Sequence, residues 1–181
     1  MIQKIRTIKL IFGKTGQGKS YLAQQLIKEE KRVVIIDPLF EYETGLVFYD
    51  FEDLINYYEE HKPETFKFIC RFKTDLEIDF LFKFCEVVKK LVLVVEEAEI
   101  YISPQTRSSN FLRLVRYGRH YAISIIGVAR RTAELSSDLK AQVNTIYSFN
   151  QSLPRDIQIM EDLGFEGIEQ LPERKFLQID Y

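Results

Sequence analysis

Gly13-Lys14-Thr15-Gly16-Gln17-Gly18-Lys19-Ser20 stands between the apolar run Ile8 to Phe12 and a helix-forming stretch that starts at Ser20. Strand, glycine-rich loop, Lys-Ser, helix is the order of a phosphate-binding P-loop. Gly13, Gly16 and Gly18 permit positive φ, which turns successive backbone N–H groups inward to form a nest for the β-phosphate at a helix N-terminus. Lys19 then reaches the β- and γ-phosphates, and Ser20 offers its hydroxyl to Mg²⁺. Lys14, Thr15, Gln17 and Tyr21 complete the stretch expected to line the nucleotide, with Lys14 read as a solvated neighbour of the phosphates. The expected ligands are ATP and Mg²⁺; which phosphate chemistry follows is not written in this motif.

Working outward, apolar runs alternate with helical patterns. Strands are expected at Ile5 to Phe12, Val33 to Ile36, Phe66 to Arg71, Leu91 to Val95, Ala122 to Ala129, Thr145 to Phe149 and Lys175 to Ile179. Helices are expected at Ser20 to Glu30, Phe51 to Glu60, Asp75 to Lys90, Ser136 to Gln142 and Pro154 to Leu163. A further helix runs from a Ser108-Ser109-Asn110 cap to Tyr117, with Gly118 as its stop. The alternation predicts an α/β fold with a mostly parallel, doubly wound sheet and helices on both faces. No repeat, linker or low-complexity stretch interrupts it, so residues 1–181 read as one P-loop ATPase domain.

With 46% hydrophobic and 29% charged residues the chain has the composition of a globular protein, not a disordered one. No run approaches the ~18 apolar residues a membrane crossing needs, and the N-terminus lacks a signal-peptide core; a cytoplasmic location is expected, in the host or the virion if the protein is viral. Cys70 and Cys85 have no metal-ligand spacing and read as buried reduced thiols. The net charge of −2 argues against coating nucleic acid by bulk electrostatics. Yet from Tyr101 through Ala133 there is no Asp or Glu, while Arg107, Arg113, Arg116, Arg119, Arg130 and Arg131 all fall there. A segment of one sign in an acidic protein points to an anionic partner.

The second chemical signal is Glu96-Glu97 at the C-terminal end of the Leu91 to Val95 strand. Strand C-termini line the ligand crevice of a doubly wound sheet, so these acids face the same nucleotide as the P-loop. Glu96 is placed nearest the metal, and Glu97 nearest the attacking water as base or orienter. In P-loop ATPases with a second catalytic acid, the next strand inserts between the acid strand and the P-loop strand. Here that sensor strand is Ala122 to Ala129, and it delivers Arg130 and Arg131 towards the γ-phosphate, where a cation can sense it or stabilise transition-state charge.

Taken together, the P-loop, Asp37-Pro-Leu-Phe-Glu-Tyr42, Glu96-Glu97-Ala98, Arg116-Tyr-Gly-Arg-His120 and Arg130-Arg131 resemble the successive motifs of HerA/FtsK superfamily ATPases over roughly residues 5 to 180. Glu96 stands where Asp is common, and Arg130 where a polar Gln is common. The chain shows neither the extra β-barrel of archaeal HerA proteins nor a membrane segment of the FtsK type, and looks most like the minimal genome-packaging ATPases of internal-membrane viruses, including archaeal ones. The resemblance implies a ring, commonly hexameric, that moves double-stranded DNA through phosphate contacts without reading sequence, with virion or membrane proteins as further partners and no membrane insertion.

Arg113, Arg116 and Arg119 share a broad helical face. An arginine finger into a neighbouring subunit, a DNA phosphate contact and a complement to the helix dipole all compete for them, and the ring implied by the resemblance favours Arg116 or Arg119 as the finger. Another class of function stays open: a Zot-like assembly, morphogenesis or regulatory ATPase that does not move DNA. A small-molecule kinase would leave Glu97 and the arginines without a role.

Overall fold

The computed structural model describes residues 6–101, 103, 108–135 and 137–181. Arg107, the first of the expected run of arginines, lies outside the described residues. In chain order the strands are β1 (Ile8–Phe12), β2 (Arg32–Ile36), β3 (Leu46–Phe48), β4 (Phe66–Cys70), β5 (Leu91–Val95), β6 (Ile123–Ala129), β7 (Thr145–Phe149) and β8 (Phe176–Asp180). The helices are α1 (Lys19–Leu26), α2 (Phe51–His61), α3 (Asp75–Val88), α4 (Ala98–Tyr101), α5 (Ser109–Tyr121), α6 (Ser137–Lys140) and α7 (Pro154–Asp162).

Among the described residues the strands form one sheet in the order β3-β4-β2-β5-β6-β1-β7-β8. All pairings are parallel except that of β7 with β8. The sensor strand β6 lies between the acid strand β5 and the P-loop strand β1, as the sequence predicts. Consecutive residues of the buried strands feed opposite faces, the period of two that pleating imposes. Ile8, Leu10 and Phe12 join a core with residues of α2, α3, α5 and α7, whereas Ile11 joins Ala23 and Ile27 beneath α1. Helices therefore cover both faces, but unevenly: among the described helices α1 alone contributes to the second core.

Local chemistry explains most element boundaries. Asp50 caps α2 by accepting from Asp53 N at 2.8 Å, and Thr74 and Glu77 form a reciprocal capping box on α3. Ser108 Oγ accepts from Phe111 N at 3.0 Å and starts α5 where the sequence places the cap. Gly118 is not the stop of α5, however; the helix continues to Tyr121 and ends on Ala122 in the left-handed region at φ 53°. The glycine serves a close approach instead. A Cβ there would lie 3.3 Å from Arg6 Nε, and Arg6 donates to the carbonyls of Leu114, Val115 and Ile123, tying α5 to the start of β6.

Candidate nucleotide site

The segments that follow β1, β2, β5 and β6 at their C-terminal ends line one cleft of about 1040 Å³. The P-loop leaves β1 in the predicted strand-to-helix setting, with Gly13, Gly16 and Gly18 all at positive φ. At Gly13 a side chain has no room, because its Cβ would lie 2.6 Å from Phe149 Cβ on the adjacent β7. Thr15, Gly16, Gln17, Gly18, Ser20 and Tyr21 line the cleft together with Lys19. Lys14 is exposed and does not line it; its carbonyl accepts from Lys19 Nζ at 3.0 Å. Lys19 is 9% exposed, and burial pushes its ammonium below the ordinary lysine range against the pull of Glu97, Glu96 and Glu99. Gln17 is held from outside by Arg174 N, which donates to its Oε1 at 3.1 Å.

The two acids after β5 occupy different environments. Glu96 is 3% exposed and receives the Tyr42 hydroxyl at 2.8 Å and the Ser20 hydroxyl. Burial pushes its carboxyl up to about 7, although Tyr42, Ser20 and Lys19 all favour the ionised form. Tyr42 is itself positioned through Asp37, which is fully buried and accepts from the N–H groups of Glu41 and Tyr42 and from Arg71 Nε at 3.0 Å. Asp37 thus organises the turn after β2 and does not line the cleft.

Glu97 stands at φ 49°, a left-handed conformation uncommon for a residue with a side chain, and pairs with Arg130 Nε at 3.0 Å. Burial, then the nearby Glu99, raises its carboxyl above the ordinary range. Backbone strain of this kind gathers at functional sites.

Glu99 is the residue that reading the sequence missed. It is 7% exposed, and its Oε1 accepts from both the backbone N–H and Nε of Arg130 at 3.2 Å. Its Oε2 is buried with no hydrogen-bond partner among the described residues. The available signal was the density of acid, Glu96, Glu97 and Glu99 within one short stretch of an apolar neighbourhood.

Arg130 and Arg131 diverge. Arg130 lines the nucleotide cleft, whereas Arg131 Nε donates to the buried Asp156 at 3.1 Å and is absent from the cleft lining. Asp156 also accepts from Ala133 N, so Arg131 joins the end of β6 to α7.

Arg113, Arg116 and Arg119 are exposed on α5, whose apolar side, Phe111, Leu114 and Val115, packs in the core. Arg113 pairs with Glu86 on α3 at 2.7 Å and holds that carboxyl down at about 2. Arg116 and Arg119 do not line the cleft. Arg119 stands just before β6, roughly 20 Å of extended strand from Arg130.

A hard cation fits where the Ser20 hydroxyl and the Glu96 carboxylate meet, since both offer oxygen and are already in contact. No group of three ligating side chains gathers among the described residues, so such a cation would complete its shell with phosphate oxygens and water.

A family model described as the central domain of the helicase HerA matches residues 6–153. The chain belongs to the HerA family. The matched segment runs from the start of β1 to the threshold of α7 and so contains the P-loop, all three acids and both arginine groups. No curated protein matches by sequence.

Among solved structures, the genome packaging NTPase B204 of Sulfolobus turreted icosahedral virus 2, in complex with ATP-gammaS, superposes with a TM-score of 0.80 at 18% identity, over 97% of this chain and 92% of that one. VirB4 of Thermoanaerobacter pseudethanolicus gives 0.62 at 14% identity, over 95% and 88%. The N-terminal domain of zonular occludens toxin from Neisseria meningitidis gives 0.54 at 14% identity, over 82% and 78%. These likenesses establish a shared fold. Among the described residues no helix is long and apolar enough to cross a membrane.

Proposed function

We propose that this HerA-family chain is an ATP-hydrolysing motor that moves double-stranded DNA, in the manner of a viral genome-packaging ATPase. The observation that carries the reading is the convergence of Lys19, Glu96, Glu97 and Arg130 on one cleft beneath a P-loop. The packaging NTPase with the TM-score of 0.80 holds an ATP analogue and supplies the analogy for the substrate.

In this reading the P-loop N–H groups and Lys19 hold the β- and γ-phosphates, while Tyr21, Leu39, Ile100 and Phe176 offer apolar wall to the rest of the nucleotide. Mg²⁺ bound by Ser20 and Glu96 would neutralise phosphate charge. Glu97 orients the attacking water and accepts its proton, a role helped by a carboxyl raised towards neutrality. Arg130 lines the cleft beside Glu97 and serves as the γ-phosphate sensor of its own subunit; moving from the Glu97 carboxylate to the phosphate, it releases the base as substrate binds. Arg131 keeps the loop after β6 in place.

Arg116 and Arg119 face outward and act in a ring, one of them reaching the nucleotide of the next subunit. DNA is held by phosphate contacts, which brings a steep loss of affinity with salt. The test is the ATPase rate with and without linear duplex DNA, for the wild type and for Glu97→Gln. A DNA-stimulated wild-type rate that Glu97→Gln abolishes supports the motor. A rate indifferent to DNA returns the chain to the assembly or regulatory class, and a Glu97→Gln protein with normal turnover removes the catalytic role of Glu97.

A further inference from the structure

A second, smaller cavity of about 370 Å³ lies beside the nucleotide cleft. It sits over the C-terminal ends of three adjacent strands: Arg130 and Arg131 come from β6, Lys14 and Thr15 from β1, and Gln151 and Ser152 from β7. Thr15 and Arg130 line both spaces, so the P-loop and the arginine of the catalytic cleft form the wall between them.

The lining has the chemistry of an anion site. Three cations, Lys14, Arg130 and Arg131, line it with one carboxylate, Asp156, which is engaged by Arg131 Nε and Ala133 N; Arg130 is also paired with Glu97 and Glu99. The first turn of α7 adds the positive end of a helix dipole. Independently of these charges, Gln151 is 3% exposed and its Nε2 has no hydrogen-bond partner among the described residues. A buried donor left unpaired is destabilising, and an oxyanion in the cavity would satisfy it.

We propose that this cavity is a binding site for inorganic phosphate, the product of hydrolysis, entered from the γ-phosphate end of the cleft past Thr15 and Arg130. This rests on the hydrolytic reading above. ATP and water yield ADP and phosphate; ADP stays on the P-loop while the freed tetrahedral anion passes to Lys14, Arg131 and Gln151. Arg130, shared by both spaces, contacts the phosphate before and after cleavage. A duplex-DNA backbone offers the same phosphate chemistry, but the shared wall with the catalytic cleft favours the product.

The test is calorimetric titration of inorganic phosphate into the full chain already saturated with MgADP. Gln151→Glu places a like charge against the anion and should weaken phosphate binding about tenfold. Ser152→Asp, at an exposed position that leaves the core untouched, should weaken it about threefold. ADP affinity should stay within about twofold in both, since neither side chain lines the nucleotide cleft. Should Gln151→Glu fail to fold, Ser152→Asp decides alone. Phosphate that does not bind the ADP-loaded wild type, or binds both variants unchanged while ADP binding is intact, overturns the site. Displacement of phosphate by a short duplex, lost in Ser152→Asp, would assign the cavity to DNA and overturn the product reading. A wild type that binds no ADP is a different failure and removes the hydrolytic reading itself.

Discussion

The C-terminal edge of the sheet and the outer face of α5 carry charge in opposite ways. At the edge, cations and acids are interleaved and tied together, with Glu96 and Glu99 buried: Glu96 meets Ser20 and Tyr42, while Glu97 and Glu99 share Arg130. On α5 the cations Arg113, Arg116 and Arg119 are of one sign and exposed, although Arg113 is tied to Glu86 of α3. A cleft whose groups are tied to one another is organised before its ligand arrives. An exposed helix face of one sign offers a surface to an anionic partner. The contrast suggests an active site divided between two copies of the chain.

Substitutions at the two regions should differ in effect, with the largest expected at the edge. Glu97→Gln removes the water-orienting base and should lower the ATPase rate about 10²- to 10⁴-fold while nucleotide still binds, as a turnover assay beside an ATP-binding titration would show. Next comes α5: Arg119→Ala should leave ATP binding intact and cut DNA-stimulated hydrolysis by a factor on the order of 10³. A loss of only a few-fold would leave Arg119 as a surface charge.

Arg131 sharpens the boundary between the regions. If it serves packing and not the nucleotide, Arg131→Ala should cost about 2 kcal/mol in denaturant unfolding, because it strips the guanidinium from the buried Asp156. Its effect on the affinity for ATP should be small by comparison. A variant that unfolds like the wild type but loses ATP affinity would move Arg131 into the cleft.

The smallest effect is a pH dependence at Glu96. Its carboxyl, raised to about 7, must ionise to receive a metal, so the affinity for Mg-ATP should fall about tenfold between pH 8 and pH 6. The sign for the fold is opposite. A folded-state value raised above the usual carboxylate range stabilises the nucleotide-free protein below about pH 4.5, and this contribution is lost as pH rises through about 7. Titrations at several pH values with Glu96→Gln alongside should separate the two, since the variant has no proton to release.

These regions differed in how far the sequence revealed them. The P-loop, the acid pair and the inserted β6 are legible because glycine spacing and β-branched runs have few alternative uses. The same holds for Ser108 as a cap. Gly118 misleads, since a glycine admitting Arg6 looks like one ending a helix. β3 escapes because three residues between Gly45 and an acid-capped helix carry too short a pattern for any period to show. Glu99 escapes for another reason: it acts through an arginine distant in sequence, and an acid reads as solvated surface until its partner is known.

The division of the site is tested most directly by mixing Glu97→Gln with Arg119→Ala, each expected to be nearly inactive, and measuring DNA-stimulated ATP hydrolysis of the mixture. If one subunit supplies the base and the next supplies the arginine, mixed assemblies contain interfaces with both groups intact, and activity should rise well above the sum of the separate proteins. A mixture no more active than that sum would contradict the shared site and place everything needed for hydrolysis within a single cleft.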